Sequence, residues 1–193
     1  MDEVSRDQAR WDKRYEARDY IFGTEPNGFL LEYLGLLPKG KTLVLAMGEG
    51  QDAVFLAENG FDVEGCDISP KAVKKANGLA REKGVVIRSF EADLEHFQLP
   101  VDKYDLITCF YYLQRDLIPK MKAALKPGGM VVMETFTLDN QRLGLHGPRR
   151  PEFLLKENEL LDLFNDLRVI IYREQVVDGK KAIASIIAQK IRN

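Results

Sequence analysis

The stretch LAMGEGQDAVFLA, residues 45–57, decides the fold. It joins a short apolar run rich in β-formers, residues 42–46, to a segment whose apolar residues recur at helical spacing, residues 51–59. Gly48 and Gly50 lie between the two segments. Because glycine has no Cβ, the backbone of this loop can approach a ligand closely. A strand, a glycine loop and a helix in this order predict a ligand site in a parallel α/β fold.

Two interpretations of the glycine loop are open at this point. Gly48, Gly50 and Ala53 fit the GxGxxA pattern of a dinucleotide-binding turn. The same glycines also fit the last two of a GxGxG loop that binds S-adenosylmethionine. The spacing of the loop residues alone leaves both alternatives standing.

The rest of the chain alternates strands and helices. Strand-like runs occupy residues 61–66, 85–90, 104–110 and 130–136, and Ser69-Pro70 begins an amphipathic helix between the first two of them. Residues 167–175 and 181–190 form a C-terminal hairpin around Asp178-Gly179. We therefore predict a Rossmann-like, doubly wound α/β fold with a mostly parallel seven-stranded sheet. Its antiparallel C-terminal strand is expected at the sheet edge.

Composition restricts the organisation and the partners. The chain has 193 residues, of which 45% are hydrophobic and 30% charged, with a formal net charge of -2. We expect a single domain over residues 1–193, with an N-terminal helical lid (1–38) and a Rossmann-like core (39–193). The near-neutral charge and the lack of a long apolar stretch predict a small-molecule partner, without nucleic acid or membrane. The oligomeric state stays open.

The cysteine and histidine content adds two expectations. Only two cysteines and two histidines are present, and they lack the spacing of metal ligands, so no metal is expected. The charged N-terminus lacks the apolar region of a signal peptide, which predicts a cytoplasmic protein with reduced thiols.

Several candidate ligand residues follow the carboxyl ends of predicted strands, where α/β sheets bind ligands. Asp67, 17 residues after Gly50, is placed to accept the hydroxyls of a ribose. Its competing role is to help cap the helix that begins at Ser69. Asp93 could accept a hydrogen bond from an adenine amino group, with Leu94 against the ring.

Six stretches resemble one family. They are WDKRY (11–15), YIFGTEPNGFL (20–30), LAMGEGQDAVFLAENGFDVEGCDIS (45–69), ADL (92–94), ALKPGGMVVMETFT (124–137) and GPRRPEFLL (147–155). On these motifs the chain resembles class I S-adenosylmethionine-dependent methyltransferases. Within them it is similar to the tellurite-resistance-like small-molecule methyltransferases. The resemblance covers nearly the whole chain and favours S-adenosylmethionine as the cofactor.

The loop, the strand ends and the resemblance together predict one set of cofactor-binding residues. These are Ala46, Gly48, Gly50, Asp67, Ile68, Asp93, Leu94, Cys109, Phe110 and Tyr20.

The sequence departs from the family pattern in the loop. Val44 stands at a usually acidic position, Ala46 replaces the first glycine, and Gln51-Asp52 replaces Arg-Asn. Alanine at position 46 should be tolerated unless its φ is positive. A valine at position 50 is expected to abolish cofactor binding and to leave the fold largely intact.

The chemistry predicted from the sequence needs little acid or base help. Methyl transfer from a sulfonium releases a neutral leaving group, and no convincing general base stands out. The catalytic candidates are Tyr15 and His146. With Tyr20, Tyr15 is also a candidate lid residue, whereas Trp11 is expected to pack the N-terminal helix onto the domain.

We therefore expect methylation of a small, soft sulfur, selenium or tellurium nucleophile. The alternatives are a non-catalytic S-adenosylmethionine-binding module and, supported only by GxGxxA, an NAD-dependent oxidoreductase.

Overall fold

The computed structural model describes residues 3–191. Within these residues, seven α-helices alternate with seven strands for most of the chain. The helices are α1 (Glu3–Arg14), α2 (Gly28–Tyr33), α3 (Gln51–Glu58), α4 (Pro70–Glu82), α5 (Leu117–Ala124), α6 (Leu138–Arg142) and α7 (Glu159–Leu163). The strands are β1 (Lys41–Leu45), β2 (Asp62–Asp67), β3 (Arg88–Glu91), β4 (Tyr104–Phe110), β5 (Leu125–Phe136), β6 (Arg168–Val177) and β7 (Lys181–Gln189).

The strands form one mixed sheet in the order β3-β2-β1-β4-β5-β7-β6. β7 runs antiparallel to both of its neighbours, and the pairs β1–β2, β2–β3 and β4–β5 are parallel. The predicted fold class is therefore confirmed. The expected edge position of the antiparallel strand is wrong, because β7 lies one strand inside the edge and β6 forms the edge. Residues 182–188 of β7 are all buried, whereas β6 is only half-buried or exposed, so the apolar strand occupies the interior position.

The chain divides into two compact units, one running to Gln98 and the other starting at Leu99. In the first unit, α3 packs against β2, α4 packs against β2 and β3, and residues 42–45 of β1 are buried. In the second unit, β4, β5 and β7 carry the core, and α5 contributes Leu117, Ile118 and Met121 to it. The single domain with a boundary after residue 38 stays a prediction.

Local sequence signals fix several element ends. The Ser69 hydroxyl accepts the Ala72 amide at 3.2 Å and caps α4, as predicted. Asp178 and Gly179 both have positive φ, 51° and 62°, which gives the expected tight hairpin between β6 and β7. The third strand was predicted to begin at residue 85 but begins at Arg88. The reason is that the Val85 amide donates back to the Ala80 carbonyl at 2.9 Å and completes the end of α4.

Over residues 3–191, no helix combines the length and the apolar character that a bilayer-spanning segment requires.

Candidate cofactor-binding site

The loop between β1 and α3 adopts an alternating left-handed backbone. Ala46, Gly48 and Gly50 have φ of 48°, 55° and 89°. Glycine adopts these angles freely, but an L-residue in this region costs about 1–2 kcal/mol. The condition under which alanine would be unfavourable at position 46 is therefore met, and Ala46 holds a strained backbone in this loop.

Gly50 has a packing role that the sequence argument missed. A Cβ placed on Gly50 would lie 2.5 Å from the Cβ and 2.8 Å from the Cα of Ala76 in α4. The absence of a side chain therefore allows the start of α3 to contact α4 closely. The expectation that a valine here leaves the fold largely intact is wrong, because backbone atoms of α4 occupy the space.

Gly48 faces the N-terminal segment. A Cβ placed on it would lie 3.1 Å from the hydroxyl oxygen of Tyr15, a side chain that is 5% exposed. Burial, and then the charges of Asp67 and Glu49, raise the pKa of the Tyr15 phenol above its ordinary range. Tyr15 therefore stays protonated at neutral pH, where it can donate a hydrogen bond but cannot serve as a base.

Asp67 ties the glycine loop to the start of α4. Its Oδ2 accepts the Gly48 amide at 2.8 Å, and its Oδ1 accepts the Ser69 amide at 2.9 Å. Burial raises the pKa of this carboxyl, while hydrogen bonds from the amides of Ser69, Gly48 and Ile68 oppose the rise. The helix-capping role weighed from the sequence is thus present in the structure. Ile68, between the carboxylate and the cap, is half-buried.

Asp93 takes part in its own turn. Its Oδ1 accepts the Glu95 amide at 3.1 Å, and its Oδ2 lies 2.6 Å from Nδ1 of the exposed His96. Leu94, beside it, is buried. The potential metal-ligating atoms of Asp93, Glu95 and His96 all lie within 4.8 Å of one another.

The N-terminal segment places its aromatic residues at two different locations. Tyr15 stacks on Trp11 with ring centroids 5.6 Å apart, and it meets Phe22 in an edge-to-face arrangement with centroids 6.2 Å apart. Tyr20 instead lies against α4, with its hydroxyl 3.5 Å from the Lys75 carbonyl oxygen. The structure therefore brings Tyr15, rather than Tyr20, to Gly48.

Two carboxylates hold the N-terminal segment on the loop, and the sequence analysis missed both. Glu49, fully buried between the two glycines, accepts the amides of Ile21 and Phe22, each at 3.2 Å, and the Lys75 ammonium at 2.7 Å. Asp52 accepts the Asn27 amide at 2.7 Å. The available signal was an acidic residue inside an otherwise apolar strand–loop–helix stretch, which indicates a specific partner.

Gln51, the first residue of α3, carries a buried side-chain oxygen, Oε1, that lacks a hydrogen-bond partner among the described residues. Buried acceptors in native proteins are almost always paired, so this atom suits a ligand that brings a donor to the loop. The methionine part of S-adenosylmethionine offers such a donor in its ammonium group. The loop residues therefore fit a ligand of this chemistry.

The remaining predicted residues lie in the second unit. Cys109 and Phe110, at the end of β4, are buried, and the Cys109 thiol lies 3.7 Å from the Tyr112 carbonyl oxygen. His146 is exposed, and its backbone carbonyl accepts a hydrogen bond from the buried Asn140 side chain at 3.0 Å. A side chain exposed to water is a poor candidate for controlled proton transfer, so its surroundings do not favour His146 as a catalytic residue.

Strand order and a glycine loop after β1 define the α/β fold that class I methyltransferases share. Residues 43–129, just under half of the chain, match the family model described as a methyltransferase domain. That match includes the glycine loop, Asp67 and Asp93, and it supports S-adenosylmethionine as the cofactor.

Three known proteins illustrate the similarity. Hemagglutinin 1 of Eikenella corrodens is 32% identical over 143 residues, which cover 70% of this chain and 46% of that protein. Thiopurine S-methyltransferase of Pseudomonas fluorescens is 37% identical over 68 residues, 33% of this chain and 31% of that one. The crystal structure of TehB from Haemophilus influenzae superposes with a TM-score of 0.71 at 20% identity, covering 95% of this chain and 66% of that one. The matched region spans less than half of the length of Hemagglutinin 1 and of two further curated relatives.

Proposed function

We propose that this protein is an S-adenosylmethionine-dependent methyltransferase that acts on a small, soft nucleophile. The observation that carries the proposal is the left-handed glycine loop, tied through its Gly48 amide to a buried Asp67 and followed by the unpaired buried oxygen of Gln51. The methyltransferase-domain match over this loop supports the same cofactor and argues against NAD.

The residues proposed to hold the cofactor are those predicted from the sequence, with Gln51 added. Ala46, Gly48 and Gly50 present the loop backbone, and Asp67, the last residue of β2, is proposed with Ile68 for the ribose. Asp93 and Leu94 are proposed for the adenine, and Cys109, Phe110 and Tyr20 complete the set. For Asp93 this role requires its carboxylate to be shared with His96, which lies 2.6 Å away.

When bound, S-adenosylmethionine supplies an electrophilic methyl group with a neutral thioether leaving group. The protein then has three tasks: to fix the direction of attack, to exclude water and to accept any proton that the acceptor carries. Alignment of reactants alone can contribute roughly 7–11 kcal/mol in well-oriented systems. The buried Tyr15, stacked on the half-buried Trp11, makes the N-terminal segment suitable for excluding water over the loop.

The soft-acceptor proposal is supported by the chemistry of the predicted catalytic residues. Tyr15 remains protonated and His146 is exposed, so neither supplies the strong base that an alcohol acceptor would need. The name of one similar protein, a thiopurine S-methyltransferase, agrees with a soft acceptor. Both buried cysteines are free thiols, which supports the proposed cytoplasmic location.

A non-catalytic S-adenosylmethionine-binding protein is the second candidate. The strained left-handed Ala46 at the first-glycine position favours it, because a distorted loop could bind the cofactor without orienting it for transfer. This candidate predicts binding without release of S-adenosylhomocysteine.

Calorimetric titration with S-adenosylmethionine and NAD, followed by assays of S-adenosylhomocysteine release, tests the proposal. We expect binding of S-adenosylmethionine only, and turnover with small thiols, selenite or tellurite. Binding without turnover of any soft acceptor would favour the binding module. Binding of NAD alone would refute the proposed cofactor.

A further inference from the structure

A buried carboxylate with an unusual set of partners lies at the carboxyl ends of β4 and β5 in the second unit. Glu134 on β5 is 2% exposed and stands opposite Phe110, the last residue of β4. Its Oε2 accepts the Ser185 hydroxyl at 2.6 Å, and its Oε1 accepts the Tyr111 hydroxyl at 3.0 Å. The apolar environment makes an ionised carboxylate costly unless such donors compensate it.

Tyr111 connects this buried carboxylate to the surface. Its phenol donates to Glu134, and its oxygen accepts a hydrogen bond from the Lys181 ammonium, which also lies 4.7 Å from the centre of the ring. The ring packs against Phe136 with centroids 5.2 Å apart, yet 39% of the residue is exposed. A phenol held between an ammonium donor and a carboxylate acceptor is prepared to take up one proton as it gives up another.

The backbone at Tyr111 is also unusual. Its φ is 56°, although a bulky aromatic residue in the left-handed region costs about 1–2 kcal/mol. The Tyr111 amide donates to the Glu134 carbonyl at 2.8 Å, which holds the strained backbone in place. Backbone strain that the surrounding structure enforces at a strand end is a feature of functional sites.

We propose that Tyr111 and Glu134 form a proton relay for a thiol acceptor, with Lys181 holding the phenol oxygen in position. The inference rests on the proposed methyltransferase function and specifies its acceptor as a thiol that enters in the protonated form. It supplies, in the second unit, the base that neither Tyr15 nor His146 offers.

The relay step balances in protons and electrons. The thiol S–H proton moves to the Tyr111 oxygen while the phenol proton moves to the Glu134 carboxylate. The sulfur electron pair forms the new bond to the methyl carbon, and the electrons of the broken methyl–sulfur bond leave with the cofactor as a neutral thioether. Glu134 then returns its proton to water by the reverse path through Tyr111.

Two thiols that each carry a benzene ring, one aliphatic and one aromatic, separate the effect of proton removal from the effect of binding. Benzyl mercaptan is protonated at neutral pH, whereas para-nitrothiophenol is already ionised, so only the first needs the relay. We expect Tyr111→Phe to lower kcat/KM for benzyl mercaptan by about 100-fold, within the usual range for general-base catalysis, and for para-nitrothiophenol by less than about threefold. Lys181→Met should give the same selectivity with a smaller loss.

Tyr172→Phe is the matched control, because the Tyr172 phenol also bonds a carboxylate, that of Glu174 on β6. It should leave both thiols unaffected, and calorimetry should show unchanged binding of S-adenosylmethionine to all variants. An equal loss of kcat/KM for both thiols in Tyr111→Phe, or no loss for either, would overturn the relay. Methylation of para-nitrothiophenol by the wild type would still uphold the proposed function in that case. If the wild type methylates neither thiol, the thiol acceptor and the relay are both refuted.

Discussion

Replacing Gly50 by alanine should destabilise the protein far more than an ordinary glycine substitution. The new Cβ would carry the cost of a left-handed backbone, about 1–2 kcal/mol. It would also lie 2.5 Å from the Cβ and 2.8 Å from the Cα of Ala76, and overpacking of this kind typically costs about 1–3 kcal/mol. The expected loss in the free energy of unfolding is therefore about 2–5 kcal/mol.

Gly84→Ala provides the matched control for this measurement. Gly84 has a φ of 71°, similar to that of Gly50, but a Cβ there would have no atom within 4 Å. Its replacement should cost only the backbone contribution, about 1–2 kcal/mol. Urea unfolding followed by circular dichroism gives both values, and the difference between them isolates the contact with α4.

A double-mutant cycle with Ala76→Gly sharpens the test. Removing the Ala76 side chain eliminates the nearest clash, so the double variant should recover part of the stability that Gly50→Ala loses. Equal destabilisation by Gly50→Ala and Gly84→Ala would refute the packing role of Gly50 and restore the ligand-based explanation for this glycine.

Three further predictions concern the same loop. Ala46→Gly should raise the free energy of unfolding by about 0.5–1 kcal/mol, since relief of the left-handed strain exceeds the entropy cost of glycine. A lower free energy of unfolding in a urea titration would contradict this prediction. Glu49→Gln should speed hydrogen exchange of the Ile21 and Phe22 amides by about tenfold, because a charged acceptor is replaced by a neutral one. The Asn27 amide, which donates to Asp52, serves as the internal control, since its exchange rate should not change. Burial raises the pKa of Asp67 above its ordinary 3.8, so its contribution to stability is complete below that value and declines as the pH rises through the folded-state pKa. The stability difference between wild type and Asp67→Asn should therefore change with pH in the acidic range, and a constant difference would count against this assignment.

Local signals predicted much of the fold. The alternation of apolar runs with amphipathic segments located all seven strands, and Ser69-Pro70 and Asp178-Gly179 located a helix start and a hairpin. These features depend on residues close together in sequence. The order of the C-terminal strands depends instead on which member of the hairpin pairs with β5, and the turn sequence carries no information on that choice.

The sequence predicts a residue of the candidate site only where the local strand–loop–helix pattern marks that residue's position. Gly48 and Asp67 lie at a loop and a strand end that the pattern identifies, and they are joined by a hydrogen bond. Glu49 and Gly50 act on partners 26 to 28 residues away, and Tyr111 is linked to a lysine 70 residues further along the chain. Periodicity cannot indicate such partners, because they are set by the packing of whole elements.

The two cysteines divide between the compact units, Cys66 in the first and Cys109 in the second, and both are buried. Burial also raises the pKa of the Cys66 thiol to about 12, so an alkylating reagent reaches little thiolate in the folded protein. The natural sequence thus supplies one chemical reporter for the opening of each unit, without any engineered label. Mass spectrometry of partly alkylated protein would show whether β2 and β4 become accessible at one rate, as in a single cooperative unfolding event, or at two.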